Sequence, residues 1–310
     1  MDELKNNIGI VVKDKSDVID LLLTALIAGG HILLEDSPGV GKTVLAKSLA
    51  RSITAEFKRI QFTPDLLPAD VTGSYIYSQK NNDFEFRSGP VFTNILLADE
   101  INRATPRTQS SLLEGMEERQ VTSEGFTFSL PSPFFVIATQ NPIEQQGTFP
   151  LPEAQLDRFM IKTGIGYPSF NGEMEILESQ LEDHPLNSLT PVCGVDAIIA
   201  HQQNAKKIYT HKSIRRYTLE IARKTREHQD IIVGVSPRAT VAMFKACQAY
   251  SYIMKQTFVS PETVKYLAPF VFGHRMVFKP QFRLKNKSAA DVINEIILSI
   301  PLPAGIESEE

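Results

Sequence analysis

The stretch 31–53, HILLEDSPGVGKTVLAKSLARSI, constrains this chain more than any other. An apolar run at 32–34 ends in a turn rich in Pro and Gly, and Leu45, Leu49 and Ile53 follow at helical spacing. The pattern predicts a strand, a tight loop and a helix. Gly39-Val40-Gly41-Lys42-Thr43 supplies at the turn what a nucleoside triphosphate needs: backbone N–H groups free to point inward, an ammonium for the β- and γ-phosphates, and a hydroxyl for Mg²⁺. The helix that follows adds the positive end of its dipole. Set against G-x-x-x-x-G-K-[ST], Asp36 stands where the first glycine belongs, so the loop alone is an imperfect match.

A loop of this kind needs a sheet, and the chain is long enough to build one. At 310 residues, 42% hydrophobic and 22% charged, it reads as an ordinary globular protein of one large or two ordinary domains. The net charge of −4 argues against nucleic acid or an acidic membrane surface as the main partner. Cys193 and Cys247 are far apart, with no C-x-x-C and no histidine at metal-ligand spacing, which suits a reducing compartment. The six histidines are scattered; even His201 and His211 lack a partner at ligand spacing, and none is assigned a site. No apolar run approaches the ~18 residues of a membrane span, so a cytoplasmic location without membrane insertion is expected.

Residues 16–28 read as a largely buried helix stopped by Gly29-Gly30, and 57–62 alternates as a second strand. Residues 63–74, TPDLLPADVTGS, read as a loop. Hairpins are expected at 75–86, around Asn81-Asn82-Asp83, and at 119–130, around Ser123-Glu124-Gly125. Between them, 95–98 is a continuous apolar run, the mark of a strand buried on both faces, and Thr105-Pro106 opens a helix that buries Leu112, Leu113 and Met116. Residues 134–138 form the fourth buried strand. Four strands separated by helices predict a three-layer α/β domain with a parallel sheet. The segment 161–170 is read as irregular, with a domain boundary near 170. Beyond it, helices are expected at 196–207, 213–229 and 238–256 and from Ser260-Pro261-Glu262, with an exposed basic segment at 279–287 and a frayed tail from 299.

Asp99-Glu100 closes the third strand, at the sheet edge where open α/β sheets bind ligands. Strand geometry makes the two side chains diverge, so one carboxylate can hold the Mg²⁺ shell while the other turns to an attacking water as general base. Asn141, at the tip of the fourth strand, can hydrogen-bond the γ-phosphate or that water, although a turn-forming Asn before Pro142 is the competing reading.

These residues carry a resemblance. DSPGVGKT (36–43), QFTPDLLPADVTGS (61–74), GPVFTNILLADEINRATPRTQSSLLEGMEERQVT (89–122), FFVIATQNPIEQQGTFPLPEAQLDRFMIK (134–162), SPRA (236–239) and APFVFGHR (268–275) resemble the MoxR family of AAA+ ATPases. The similarity covers most of 30–275, is most specific over 61–162 and weakest over 171–230. It implies a three-layer αβα P-loop NTPase domain over 1–170, and a linker with a small all-helical lid over 171–310. It also implies an ATPase working with Mg²⁺ as a ring, usually a homo-hexamer, that matures or remodels client proteins, often ones with a von Willebrand factor A domain. Asp36 is a residue the family tolerates.

Matched position by position, the resemblance assigns Asp36, Ser37, Pro38, Gly39, Val40, Gly41, Lys42, Thr43 and Val44 to the nucleotide, with Lys42 and Thr43 as the Walker A pair. Asp99 and Glu100 become Walker B, with Thr43 and Asp99 on Mg²⁺, and Asn141 becomes sensor 1. Arg158 fits an arginine finger reaching a neighbouring subunit's ATP; by spacing alone it would pair with Asp157 or Glu153 on its own surface. Arg103 is a rival for the finger. Arg238 fits sensor 2, acting on its own subunit's ATP, and the 119–130 hairpin resembles an insertion facing the pore of related rings. Two other functions remain in view: an ATP-gated scaffold with little turnover, and a chelatase-like or DNA-translocating motor. The acidic balance disfavours DNA.

Overall fold

A computed structural model describes residues 1–142, 147–179, 184–285 and 287–303. The chain forms two compact units. The first comprises Met1–Ile19, His31–Arg158 and Thr163–Ile199; the second comprises Asp20–Gly30, Phe159–Lys162 and the chain from Ala200 onward. Among the described residues no helix is long and apolar enough to cross a membrane.

Five strands, β1 (Ile32–Glu35), β2 (Phe57–Gln61), β3 (Ile95–Asp99), β4 (Phe135–Gln140) and β5 (Ile161–Thr163), make one sheet in the order β5-β1-β4-β3-β2. The β1–β4, β3–β4 and β2–β3 pairings are parallel. Every residue of β3 is buried, as is all of β4 except Gln140, so the continuous apolar runs are strands covered on both faces. Parallel register sets Gln61 beside Asp99 and Glu35 beside Gln140, which collects the C-terminal strand ends along one edge. The helix Lys42–Ser52 packs against β3 and against the N-terminal helix Asp2–Val11.

His31 locks the start of β1. Its Nδ1 accepts the Val136 N–H at 3.0 Å, which leaves Nε2–H to donate to the Met116 carbonyl at 3.2 Å. The ring is thus a neutral Nε2–H tautomer, and burial, with the Arg119 charge behind it, pushes its pKa down to about 3.

The helical unit contains Lys212–Glu227, Pro237–Ile253, Pro261–Phe272 and Ala289–Leu298, the last three packed in succession. The sequence marks their starts. Ser236, Ser260 and Ser288 accept N–H groups of Ala239, Thr263 and Asp291 at 3.1, 3.2 and 3.2 Å, each cap contributing about 1 kcal/mol, and Pro237 and Pro261 occupy first-turn positions.

The two expected hairpins are Gly73–Ser78 with Asp83–Ser88 and Gln120–Ser123 with Phe126–Ser129. Stacking of Phe86 on Phe128, centroids 4.1 Å apart, joins them.

Several expectations need correction. The presumed loop 63–74 contains the short helix Pro68–Thr72, and Gly73 already belongs to the first hairpin. Ile53 leaves the helix face to begin the two-residue strand Ile53–Thr54, paired with Cys193–Gly194. The segment read as irregular from 161 opens with β5, whose three residues are too few for an alternation to register, and Ser169 caps a helix over Phe170–Glu178. The basic stretch from 279 is not simply an exposed coil: Pro280–Lys285 is a 3₁₀ helix, and Phe282 is buried and stacked on Phe278. The tail beyond 303, and the part of QNPIEQQGTFP at 143–146, lie outside the described residues.

Candidate functional site

The loop from Asp36 to Gly41 joins β1 to its helix, and two glycines shape it. Gly39 and Gly41 have φ of +85° and +93°, and a Cβ at either would meet nothing within 4 Å. The backbone conformation, not crowding, therefore demands glycine there. Gly41 caps the helix Lys42–Ser52 without a side chain, which leaves the first-turn N–H groups free of side-chain acceptors from the cap. Lys42 reaches back across the loop, its Nζ donating to the Asp36 carbonyl at 2.6 Å.

Asp36 is held by its carboxylate. Oδ1 accepts the Ser37 N–H at 2.8 Å, and Oδ2 accepts the N–H groups of Ile165 and Gly166 at 2.8 and 2.5 Å. The odd residue of the motif thus ties the loop to the chain just after β5. Beside it lies a groove of about 730 Å³, lined in part by Val12, Lys13, Asp17, Ile165 and Glu175. Ile165 connects the groove to the loop through the Asp36 bond, and Val12 and Val44 pack on the same small cluster of Val11, Leu186 and Leu189.

The carboxylates at the strand edge sit in a connected polar network. Asp99 is 8% exposed; its Oδ1 accepts the Thr139 hydroxyl at 2.6 Å, and its Oδ2 accepts Arg59 Nη2 at 2.7 Å and Nε at 3.2 Å. The same Thr139 oxygen accepts the Glu100 N–H at 2.9 Å, so one hydroxyl couples both acidic residues. Glu100 is not strand-like, which corrects the expectation that strand geometry separates the two side chains. The strand ends at Asp99, and Glu100 adopts φ +55° in the left-handed region, a conformation costing a non-glycine residue on the order of 1 kcal/mol. Its Oε2 accepts Gln61 Nε2 at 2.7 Å and Arg103 Nη1 at 3.1 Å. Gln61 Oε1 in turn accepts Arg59 Nη2 at 2.9 Å, which fixes the orientation of the amide.

Asn141 follows β4 directly and is 4% exposed; its carbonyl accepts Asn102 Nδ2 at 3.3 Å. Arg103 sits beside Glu100 of its own chain. Arg158 forms an ion pair at 2.9 Å with Glu117, a partner that neighbour spacing did not suggest. Arg238 is exposed in the first turn of Pro237–Ile253, in the helical unit. The strand edge therefore brings together Asp99, Glu100, Arg103 and the beginning of the Asn141 turn. Sequence reasoning missed Arg59, Gln61 and Thr139. Gln61 and Thr139 sit within motifs quoted above and Arg59 two residues before one, but their roles depend on strand register.

Sheet order, glycine loop and strand-end carboxylates define an ATPase of the AAA class with its lid, and comparison with known proteins agrees. The ATPase family associated with various cellular activities (AAA) matches residues 31–161, and the AAA lid domain matches 223–296. The chain is 50% identical to the Bacillus subtilis protein YeaC over 96% of its length and 93% of that protein, and 37% identical to Chaperone MoxR1 of Mycobacterium tuberculosis over 94% and 80%. Protein MoxR of Paracoccus denitrificans is 28% identical over 95% and 94%. A crystal structure of a Cytophaga hutchinsonii protein superposes with a TM-score of 0.90 at 35% identity, covering 97% of this chain and 94% of that one. The chain belongs to the MoxR family of AAA+ ATPases.

Proposed function

We propose that this ATPase hydrolyses Mg²⁺-bound ATP in a ring of its own copies and uses the cycle to remodel partner proteins. The observation that carries the reading is the Asp99–Thr139–Glu100 junction, which fixes two carboxylates at the same strand edge as the glycine loop. The donor set fits a hard divalent ion: Thr43 and Asp99 offer oxygen ligands, and a carboxylate has about four lone-pair positions, of which Thr139 and Arg59 engage three. When bound, Mg²⁺ would neutralise charge across the β- and γ-phosphates.

The chain's own residues would do the rest. The Gly39–Gly41 backbone cradles the phosphates, with Ser37, Pro38 and Val40 shaping the loop, and Lys42 stabilises charge on the γ-phosphate side. Asp36 serves the nucleotide indirectly, by anchoring that loop to residues 165 and 166. The groove beside Val12 and Ile165 is a candidate seat for the base and sugar. Glu100, its Oε2 fixed by Gln61 and Arg103, takes the proton of the attacking water, and Asn141 orients that water or the γ-phosphate. Arg158 completes the neighbour's site, Arg103 remains on Glu100 in its own, and Arg238 acts from the lid in residues 171–310. The relative named Chaperone MoxR1 supports a chaperone-like role; client proteins carrying von Willebrand factor A domains are the partners this reading proposes. A cytoplasmic homo-hexamer is the assembly this reading requires.

The experiment is turnover measured against protein concentration. Glu100→Gln should bind ATP and barely hydrolyse it, and Arg158→Ala should bind ATP and turn over slowly. Mixing Arg158→Ala with Lys42→Ala should restore part of the activity, because a mixed interface at which the Arg158→Ala copy supplies the loop and the Lys42→Ala copy the arginine has both parts intact. Rings without measurable turnover would favour a scaffold. No restoration on mixing would overturn the role of Arg158 between subunits.

A further inference from the structure

Two independent sets of hydrogen bonds meet at the peptide between Arg158 and Phe159. On the Arg158 side, Nε is bonded to Glu117 Oε2 at 2.9 Å, and Glu117 lies in the last turn of the helix Pro106–Glu118. Among the described residues the terminal nitrogens of Arg158 make no hydrogen bond, so the fork that would grip a phosphate is left open while the base of the guanidinium is held. On the other side, Phe159 is fully buried, and its carbonyl receives two donors, Arg275 Nη2 at 2.7 Å and His274 Nε2–H at 2.9 Å. Arg275 Nη1 also donates to the Met160 carbonyl at 3.1 Å and to the Val271 carbonyl. Arg275 and His274 are 7% and 8% exposed.

Burying a guanidinium costs several kcal/mol unless its donors are well used. This one grips two consecutive carbonyls, those of the residues that immediately follow Arg158. Two such carbonyls, between the short helix Glu153–Leu156 and β5, need donor partners, but neutral side chains could supply them. A charged fork reaching both fixes the direction of that peptide segment. The GHR triplet, Gly273-His274-Arg275, thereby acquires a task that the nucleotide-binding residues do not cover.

We propose that Glu117 and Arg275 are positioning residues for Arg158, setting the direction and reach of its guanidinium toward the neighbouring copy's nucleotide. The proposal rests on the reading of Arg158 as a residue acting between subunits. Glu117 sets the side chain; Arg275, helped by His274, sets the backbone from which it projects. Neither residue touches the nucleotide, so their loss changes kcat and not affinity.

The test is a set of ATPase double-mutant cycles in the full chain, with ATP binding read by a fluorescent analogue and folding by thermal melting. Glu117→Gln and Arg275→Lys should each lower kcat roughly 10- to 100-fold, as a misplaced group does, with analogue affinity held within about twofold. In an Arg158→Ala background neither change should lower kcat further. If Arg275→Lys does not fold, His274→Gln, which weakens the same grip on the Phe159 carbonyl, replaces it and should show the same loss of kcat. Parent-level turnover in Arg158→Ala would overturn the reading of Arg158, and this proposal with it. A slow Arg158→Ala alongside parent-level Glu117→Gln and Arg275→Lys would overturn the positioning role alone. Additive losses in the Arg158→Ala background would also overturn it, since a purely structural role predicts additivity.

Discussion

Replacing Asp36 with glycine would restore the strict phosphate-loop pattern, and the structure predicts that the repaired motif works less well. The Asp36 carboxylate accepts N–H groups from Ile165 and Gly166 at 2.8 and 2.5 Å, both more than a hundred residues away in sequence, and from adjacent Ser37 at 2.8 Å. The local bond to Ser37 is easily replaced by water. The two long-range bonds are part-buried, and at about 1 kcal/mol each they sum to about 2 kcal/mol, roughly 30-fold in the population of the anchored loop. Glycine adds backbone freedom worth a further 0.5–1 kcal/mol or so. Asp36→Gly should therefore weaken binding of a fluorescent ATP analogue by roughly 70- to 160-fold, a cost that arises in ordering the loop, and lower the urea midpoint. Asp36→Asn keeps one oxygen acceptor and should fall between the two. An Asp36→Gly protein with parent affinity and an unchanged urea midpoint would refute the anchoring argument.

The Thr139 hydroxyl serves Asp99 and Glu100 together, so Thr139→Val, which keeps the shape and removes both bonds, should destabilise by about 1–3 kcal/mol and cut turnover at least about tenfold; Thr139→Ser should retain most of both. Gln61→Ala removes the 2.7 Å donor to Glu100 and should lower kcat with analogue affinity unchanged, measured by steady-state turnover. His31 gives a pH dependence with a definite sign. Its pKa is lowered in the fold to about 3, so the unfolded chain takes up the proton first, and stability falls as pH drops below the unfolded value near 6.5 and stops falling only near 3. Between pH 7.5 and 5 this one group should account for about 2 kcal/mol of lost stability, and His31→Gln should shrink that loss in urea titrations. A His31 ring that titrates near pH 6.5 in the folded protein by NMR would contradict it.

The parts of the site that sequence could locate are those carried by strongly patterned elements. The runs Ile95–Asp99 and Phe135–Gln140 are apolar because both faces are covered, and such strands announce where they end, so Asp99, Glu100 and Asn141 could be placed at an edge. β5 has three residues and Pro68–Thr72 has five, too few for a period to emerge. The partners of Arg59, Gln61, Asp36 and Glu117 were hidden for another reason: each acts on a residue far along the chain, at a spacing set by the tertiary fold.

Register links that hidden chemistry to the visible core. In β3 and β4, Ala98 pairs with Ala138 and Leu97 with Ile137, and this alignment brings Thr139 beside the Asp99–Glu100 junction. In β2 and β3, Gln61 pairs with Asp99, which puts its amide within reach of Glu100. A slip of one residue between parallel strands would turn Thr139 or Gln61 to the opposite face and dissolve the network, and it would also misalign the apolar layers above and below the sheet. The buried Leu, Ile, Val and Phe residues of these strands therefore do more than stabilise the domain. By resisting that slip they hold the Asp99 and Glu100 carboxylates, one hydroxyl and one amide in contact, and the precision of the polar edge is inherited from the packing of the core.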